Sequence, residues 1–181
     1  MDKMEILTAL LVGIWIFIPA YAANLAAPLP KGEKRMDFGK KLGKKDLLGA
    51  GKTWEGFLFA VLLGTLAGVI QVSGYEFLNG YALQAGFSLP QLSYTAVFFI
   101  ALGSMCGDVV ASFFKRRVGF ERGKSVILLD QLDFILGGLV AAYFFLTLQP
   151  LPLFLVLVIT PVLHYGFNLL GYELGYKEVP W

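Results

Sequence analysis

Three aspartates stand in apolar surroundings where an aspartate is costly. Asp108 lies in a run from Leu92 to Phe114, and Asp130 and Asp133 lie in another from Val126 to Thr147. A carboxylate at the centre of a membrane helix costs about 2.5–3.5 kcal/mol on insertion scales, and less near an interface. Asp130 and Asp133 are three residues apart and share a helix face. Ser112 follows Asp108 by four, and Asn24 falls near the same level on a further apolar run, four residues before Pro28. At 1.5 Å per residue, Asp108 and Asp130 lie about 6–9 Å inside the edges of their runs, with Asp133 a turn deeper. Polar groups from three helices are therefore predicted to meet in one shallow cavity.

Carboxylates brought together in this way repel one another unless a cation sits between them. The donors are hard oxygens with no cysteine or histidine cluster, which points to Mg²⁺ rather than zinc. The chain has a single histidine, His164, inside an apolar run, so a histidine-centred triad is not expected and packing or an interhelical hydrogen bond is. Above the aspartates stand Lys115, Arg116 and Arg117 on one side and Lys44, Lys45 and Lys52 on another. Acid below and base above suits a metal-bound polyphosphate. Gly49-Ala50-Gly51-Lys52-Thr53 looks like the end of a P-loop, but Asp46 stands where that motif needs glycine and no strand precedes it. What remains is a helix start whose backbone N–H groups, at Gly51 to Thr53, favour an anion.

The elements that must position these residues follow from hydropathy. The chain is 57% hydrophobic and 15% charged, against about 45–50% apolar and about 25% charged in soluble domains. A span needs about 20 apolar residues to cross roughly 30 Å of hydrocarbon. Five stretches qualify: Met4 to Ala27, Thr53 to Ser73, Leu92 to Phe114, Val126 to Thr147 and Leu151 to Gly171. The expected fold is all-α, a single domain over 1–181 with about five transmembrane helices. Gln149-Pro150-Leu151-Pro152 reads as a tight break between the last two. Of 15 basic residues, 13 fall in the segments 28–52 and 115–125. By the positive-inside rule these loops and the carboxyl terminus are cytoplasmic and the amino terminus is outside. Gly64 and Gly68, and Gly137-Gly138, are read as close helix contacts. The lone Cys106 allows no internal disulfide.

Several segments carry a family resemblance: Pro19-Ala20-Tyr21-Ala22-Ala23-Asn24 with Pro28, Asp37-Phe38-Gly39-Lys40, and Gly49 to Gly56. The strongest block runs from Gly107 to Phe134, GDVVASFFKRRVGFERGKSVILLDQLDF. It resembles the archaeal CDP-archaeol synthase family, related to the CDP-diacylglycerol synthases, whose signature has Gly-Asp, then Ser-x-x-Lys-Arg, then Asp-x-x-Asp. The bacterial Pro-Gly-His-Gly-Gly stretch is missing, and Gly123-Lys124-Ser125 occupies a similar place. The resemblance implies a membrane cytidylyltransferase that uses CTP, Mg²⁺ and a prenylated glycerol phosphate lipid, with no nucleic-acid partner. It implies Asp108, Asp130 and Asp133 as metal ligands and, with Lys115, as the catalytic set. Asn24, Lys44, Gly51, Lys52, Thr53, Ser112, Lys115, Arg116, Arg117 and Lys124 would bind substrate. Two alternatives are a CDP-alcohol phosphotransferase, whose Asp-x-x-Asp-Gly-x-x-Ala-Arg run is broken here by Phe134, and a small cation transporter, which needs a second polar vestibule outside.

Overall fold

The computed structural model describes residues 2–120, 126 and 128–175. Six helices form it: α1 (Lys3–Ala26), α2 (Trp54–Ser73), α3 (Tyr75–Gln84), α4 (Tyr94–Val118), α5 (Leu129–Tyr143) and α6 (Pro150–Glu173). A two-stranded antiparallel hairpin, β1 (Lys41–Leu42) and β2 (Lys45–Asp46), lies between α1 and α2. Among the described residues, α1, α2, α4 and α6 are long and apolar enough to cross a membrane.

The stretch expected to span from Val126 to Thr147 is helical only as α5, which has 15 residues. At 1.5 Å per residue that is about 22 Å, short of the hydrocarbon thickness. Its start is delayed by a turn in which Leu128 takes a φ of 68°. Side chains hold that turn: Asp130 Oδ2 accepts from the Val126 N–H at 3.0 Å and Gln131 Oε1 from the Leu128 N–H at 3.2 Å. At the other end the helix stops before the expected proline break. Pro150 instead opens α6, where its missing N–H is no loss, and Gln149 before it is extended. The stretch from Gly74 to Gln91, between the second and third expected spans, contains α3. It begins directly after α2, and its low hydropathy and ten-residue length hid it.

Glycine decides how closely the helices pack. A methyl group on Gly64 would strike Pro19 O, Ala23 and Ala101, and one on Gly68 would strike Val97. Gly137 meets Gly103 and Gly107 backbone to backbone, so α4 and α5 touch along a small-residue seam. The sequence reading caught Gly137 but not its partners on α4. Around these seams Phe17, Ile100, Phe134, Ile135 and Val156 make the buried apolar core. Ala20 and Ala23 lie wholly buried within an unbroken α1.

Candidate active site

Five helices bring an end to one cavity of about 360 Å³, a size in the range of small-molecule sites. The C-terminal part of α1 contributes Asn24, the start of α2 Thr53 and Gly56, and the C-terminal half of α4 Asp108, Lys115 and Arg116. The start of α5 adds Asp130, Gln131 and Asp133, and α6 adds His164, Tyr165 and Asn168. The helices run alternately toward and away from this end, so one pole of the bundle gathers polar side chains that are far apart in sequence.

The acids and bases are interleaved. Lys52 Nζ lies 2.6 and 2.5 Å from the two carboxylate oxygens of Asp108. Lys115 Nζ lies 2.5 Å from Asp130 Oδ1. Asp133, 6% exposed, accepts from the Phe134 N–H at 2.6 Å. All three predicted aspartates therefore line the same cavity. Among the described residues, however, no three carboxylate, imidazole or thiol groups are close enough to share one ion. The donor chemistry still fits Mg²⁺, which takes one or two protein carboxylates and completes its shell with phosphate oxygens and water.

The basic residues divide. Lys52, Lys115 and Arg116 line the cavity. Arg116 donates to Phe120 O at 2.6 Å, while its buried Nε has no hydrogen-bond partner among the described residues. Thr53 caps α2 by accepting the Gly56 N–H at 3.2 Å, and Gly51 lies at the cavity edge. Three predicted binding residues stand elsewhere. Lys44 is exposed in the turn of the hairpin, and Ser112 is buried at 2% exposure without lining the cavity. Arg117 points at the hairpin, where it donates to Leu42 O at 3.3 Å and to Asp46 O, with its guanidinium 5.1 Å from the centre of the Phe113 ring. The spacing of three consecutive bases could not distinguish them, because successive residues on a helix point about 100° apart. Lys124 lies outside the described residues.

Sequence reasoning missed Gln131, Tyr165 and Asn168. Asn168 carried a usable signal as an amide in an apolar run, and it is 5% exposed. Its Nδ2 lies 3.1 Å from His164 Nδ1, and the His164 ring stacks on Phe134 with centroids 6.0 Å apart. The expectation of packing for His164 holds on Phe134, while the bond to Asn168 lies within α6, and the ring also borders the cavity.

Comparison with known proteins decides what this arrangement belongs to. The family model described as CarS-like, CDP-archaeol synthase, matches residues 6–181. The chain belongs to the CDP-archaeol synthase family. It is 37% identical to the CDP-archaeol synthase of Pyrococcus horikoshii, over 95% of this chain and 97% of that one. It is 42% identical to that of Methanospirillum hungatei, over 91% and 99%. A solved structure described as an intramembrane enzyme for archaeal membrane lipids biosynthesis matches with a TM-score of 0.74 and 35% identity, covering 88% of this chain and 94% of that one. With apolar helices of this length, the family member is a multi-pass membrane protein. Family membership sets aside both the phosphotransferase and the transporter readings.

The loop that precedes α2 gives the family's Asp37-Phe38-Gly39-Lys40 segment a structural meaning. Asp37 is 3% exposed. Burial alone would raise its carboxyl, but the Arg35 guanidinium and the N–H groups of Leu48, Gly39 and Gly49 outweigh that and hold it well below the usual carboxylate range.

Proposed function

We propose that this chain transfers CMP from CTP to 2,3-bis-O-geranylgeranyl-sn-glycerol 1-phosphate, giving CDP-archaeol and pyrophosphate. The observation that carries the reading is the single cavity in which Asp108, Asp130 and Asp133 alternate with Lys52, Lys115 and Arg116. Both substrates are anions, and the nucleophile is a phosphate oxygen that is already ionised. It attacks the α-phosphorus of CTP, a new P–O bond forms, and the bond to the β-phosphate oxygen breaks with its electron pair leaving on pyrophosphate. No proton has to be removed, which accords with a cavity whose one imidazole is stacked on Phe134.

The task left to the protein is positioning and charge stabilisation. One or two at a time of Asp108, Asp130 and Asp133 would hold Mg²⁺, which when bound neutralises triphosphate charge and polarises the phosphoryl oxygens. Lys52 and Lys115, held by aspartates, are the cations best placed to exchange a carboxylate for a phosphate oxygen. Arg116, with its buried unpartnered Nε, supplies a further donor. Asn24, Gly51 and Thr53 border the same space and offer neutral polar contacts, with Lys124 a further basic group by resemblance. We place the cavity on the cytoplasmic side, with the amino terminus outside, because 13 of 15 basic residues fall in the sequence segments 28–52 and 115–125, which also supply Lys52, Lys115 and Arg116 to its lining. CTP would enter from water while the prenyl chains stay in the bilayer.

The test is incubation of purified protein with labelled CTP, Mg²⁺ and the prenylated lipid phosphate. Label in lipid with equimolar pyrophosphate is expected, and EDTA abolishes it. Label appearing equally without the lipid phosphate, or no pyrophosphate at all, overturns the assignment.

A further inference from the structure

The segment between α1 and α2 is a closed loop. At its base the Met36 N–H donates to Lys52 O at 2.8 Å and the Trp54 N–H to Lys34 O at 2.9 Å. Glu55 accepts the Lys34 N–H at 3.2 Å from either oxygen. Inside the loop, the Asp37 carboxylate gathers five donor contacts. Oδ1 accepts from Arg35 Nε at 2.9 Å and the Gly39 N–H at 2.9 Å. Oδ2 accepts from Arg35 Nη2 at 3.1 Å, the Leu48 N–H at 3.1 Å and the Gly49 N–H at 3.0 Å. An amide could not replace it, since one of its two polar atoms is a donor.

Two arms leave this hub. In the first, Gly49 takes a φ of 98° and turns the chain so that the Lys52 N–H meets Gly49 O at 3.2 Å. Lys52 is thereby delivered to Asp108 at the cavity. In the second, Arg35 Nη2 reaches Asp46 Oδ2 at 3.0 Å. The Asp46 carbonyl accepts from Arg117, and Lys45 Nζ donates to Arg117 O at 3.2 Å. Asp37, Arg35, Asp46 and Arg117 thus tie the start of α2 to the end of α4, the helix that carries Lys115 and Arg116. Neither Asp37 nor Arg35 lines the cavity.

We propose that Asp37, acting through Arg35 and the backbone of Leu48 and Gly49, is a positioning residue that holds Lys52 and the basic end of α4 around one triphosphate site. The proposal rests on the cytidylyl-transfer reading above for the identity of the ligand, and on the geometry alone for the positioning of Lys52. Arg117 is then a strut between hairpin and helix, its Nη1 and Nη2 committed to backbone carbonyls.

Two readouts on Asp37→Asn and Arg35→Gln test it. Labelling with an amine-reactive ester, followed by mass spectrometry, reports whether Lys52 is still protected by Asp108; both variants should expose it. Steady-state kinetics should show the KM for CTP rising about tenfold or more, the scale of a small misplacement of a binding group, while the KM for the lipid phosphate and the melting temperature stay near wild type. Unchanged Lys52 labelling overturns the proposal. So does a fall in kcat and melting temperature with an unchanged KM for CTP, which is the pattern of a merely structural residue. If Asp37→Asn does not fold, Arg35→Lys, which keeps the charge but loses the bidentate contact, must still raise Lys52 labelling or the idea fails. A wild-type protein that protects Lys52 but turns over no CTP would sink the functional reading and leave the positioning claim standing.

Discussion

The two poles of this bundle treat polar groups in opposite ways. At the cavity pole, charged side chains pair with one another across elements, as Lys52 does with Asp108 and Lys115 with Asp130. At the far pole, single polar side chains are fixed to backbone: Gln71 Nε2 donates to Trp15 O at 2.6 Å, Trp15 Nε1 to Pro90 O at 2.9 Å, and Asn79 Oδ1 accepts from the Leu89 N–H at 2.9 Å. A bond to backbone has no alternative partner and serves only to hold the fold. An ion pair beside a cavity can be traded for a ligand's charges, so its cost of desolvation becomes a means of binding. The contrast marks one pole as scaffold and the other as site.

The sharpest way to break that contrast is to remove charge at the cavity. Asp108→Asn and Asp130→Asn should each lower kcat/KM by about 10²–10³-fold. The unpaired lysine left behind can reach water through the open cavity, so the melting temperature should fall only slightly. Near-normal turnover in both would mean that the cavity pole is scaffold too. Next in size is the seam that joins the poles. Gly107→Leu forces side-chain bulk into the Gly137 backbone and should destabilise by about 1–3 kcal/mol or prevent assembly, whereas Gly166→Ala, with open space around it, should leave the thermal melt unchanged.

At the far pole Trp15→Phe removes one hydrogen bond. A loss of about 1 kcal/mol in stability is expected, with kcat and both KM values unaltered; a change in the KM for CTP would join the two poles after all. The smallest effect concerns pH. The Asp37 carboxyl is held below its ordinary value of about 3.9, so its contribution to the 34–54 loop is complete above that value and disappears as pH falls through the lower folded value. Pepsin cleavage within the loop, normalised to an unstructured peptide, should stay constant down to about pH 4 and rise below it. A rise beginning near neutrality would contradict the burial and pairing seen for Asp37.

Most of the architecture was legible because membrane helices announce themselves. Long apolar runs leave little choice of structure when every backbone group must be satisfied internally, and four of five expected spans match helices closely. The fourth did not, since hydropathy responds to Phe144, Phe145 and Leu146 whether or not they continue a helix. The three aspartates were legible for the complementary reason: a carboxylate in such a run is too costly to be incidental. Family membership followed from the same block of residues.

Partnership was not legible. Asp108 and Lys52 are 56 residues apart, and nothing local in the sequence says that this lysine, rather than Lys44 or Arg117, meets that aspartate. The choice depends on which way a helix end faces and how a loop folds back, and those depend on glycine seams and on Asp37. Composition and periodicity determined which residues had to be hidden from lipid. Only the packed tertiary structure decided which hidden charges face one another, because Coulombic and hydrogen-bond energies depend on separations in space that sequence distance does not encode.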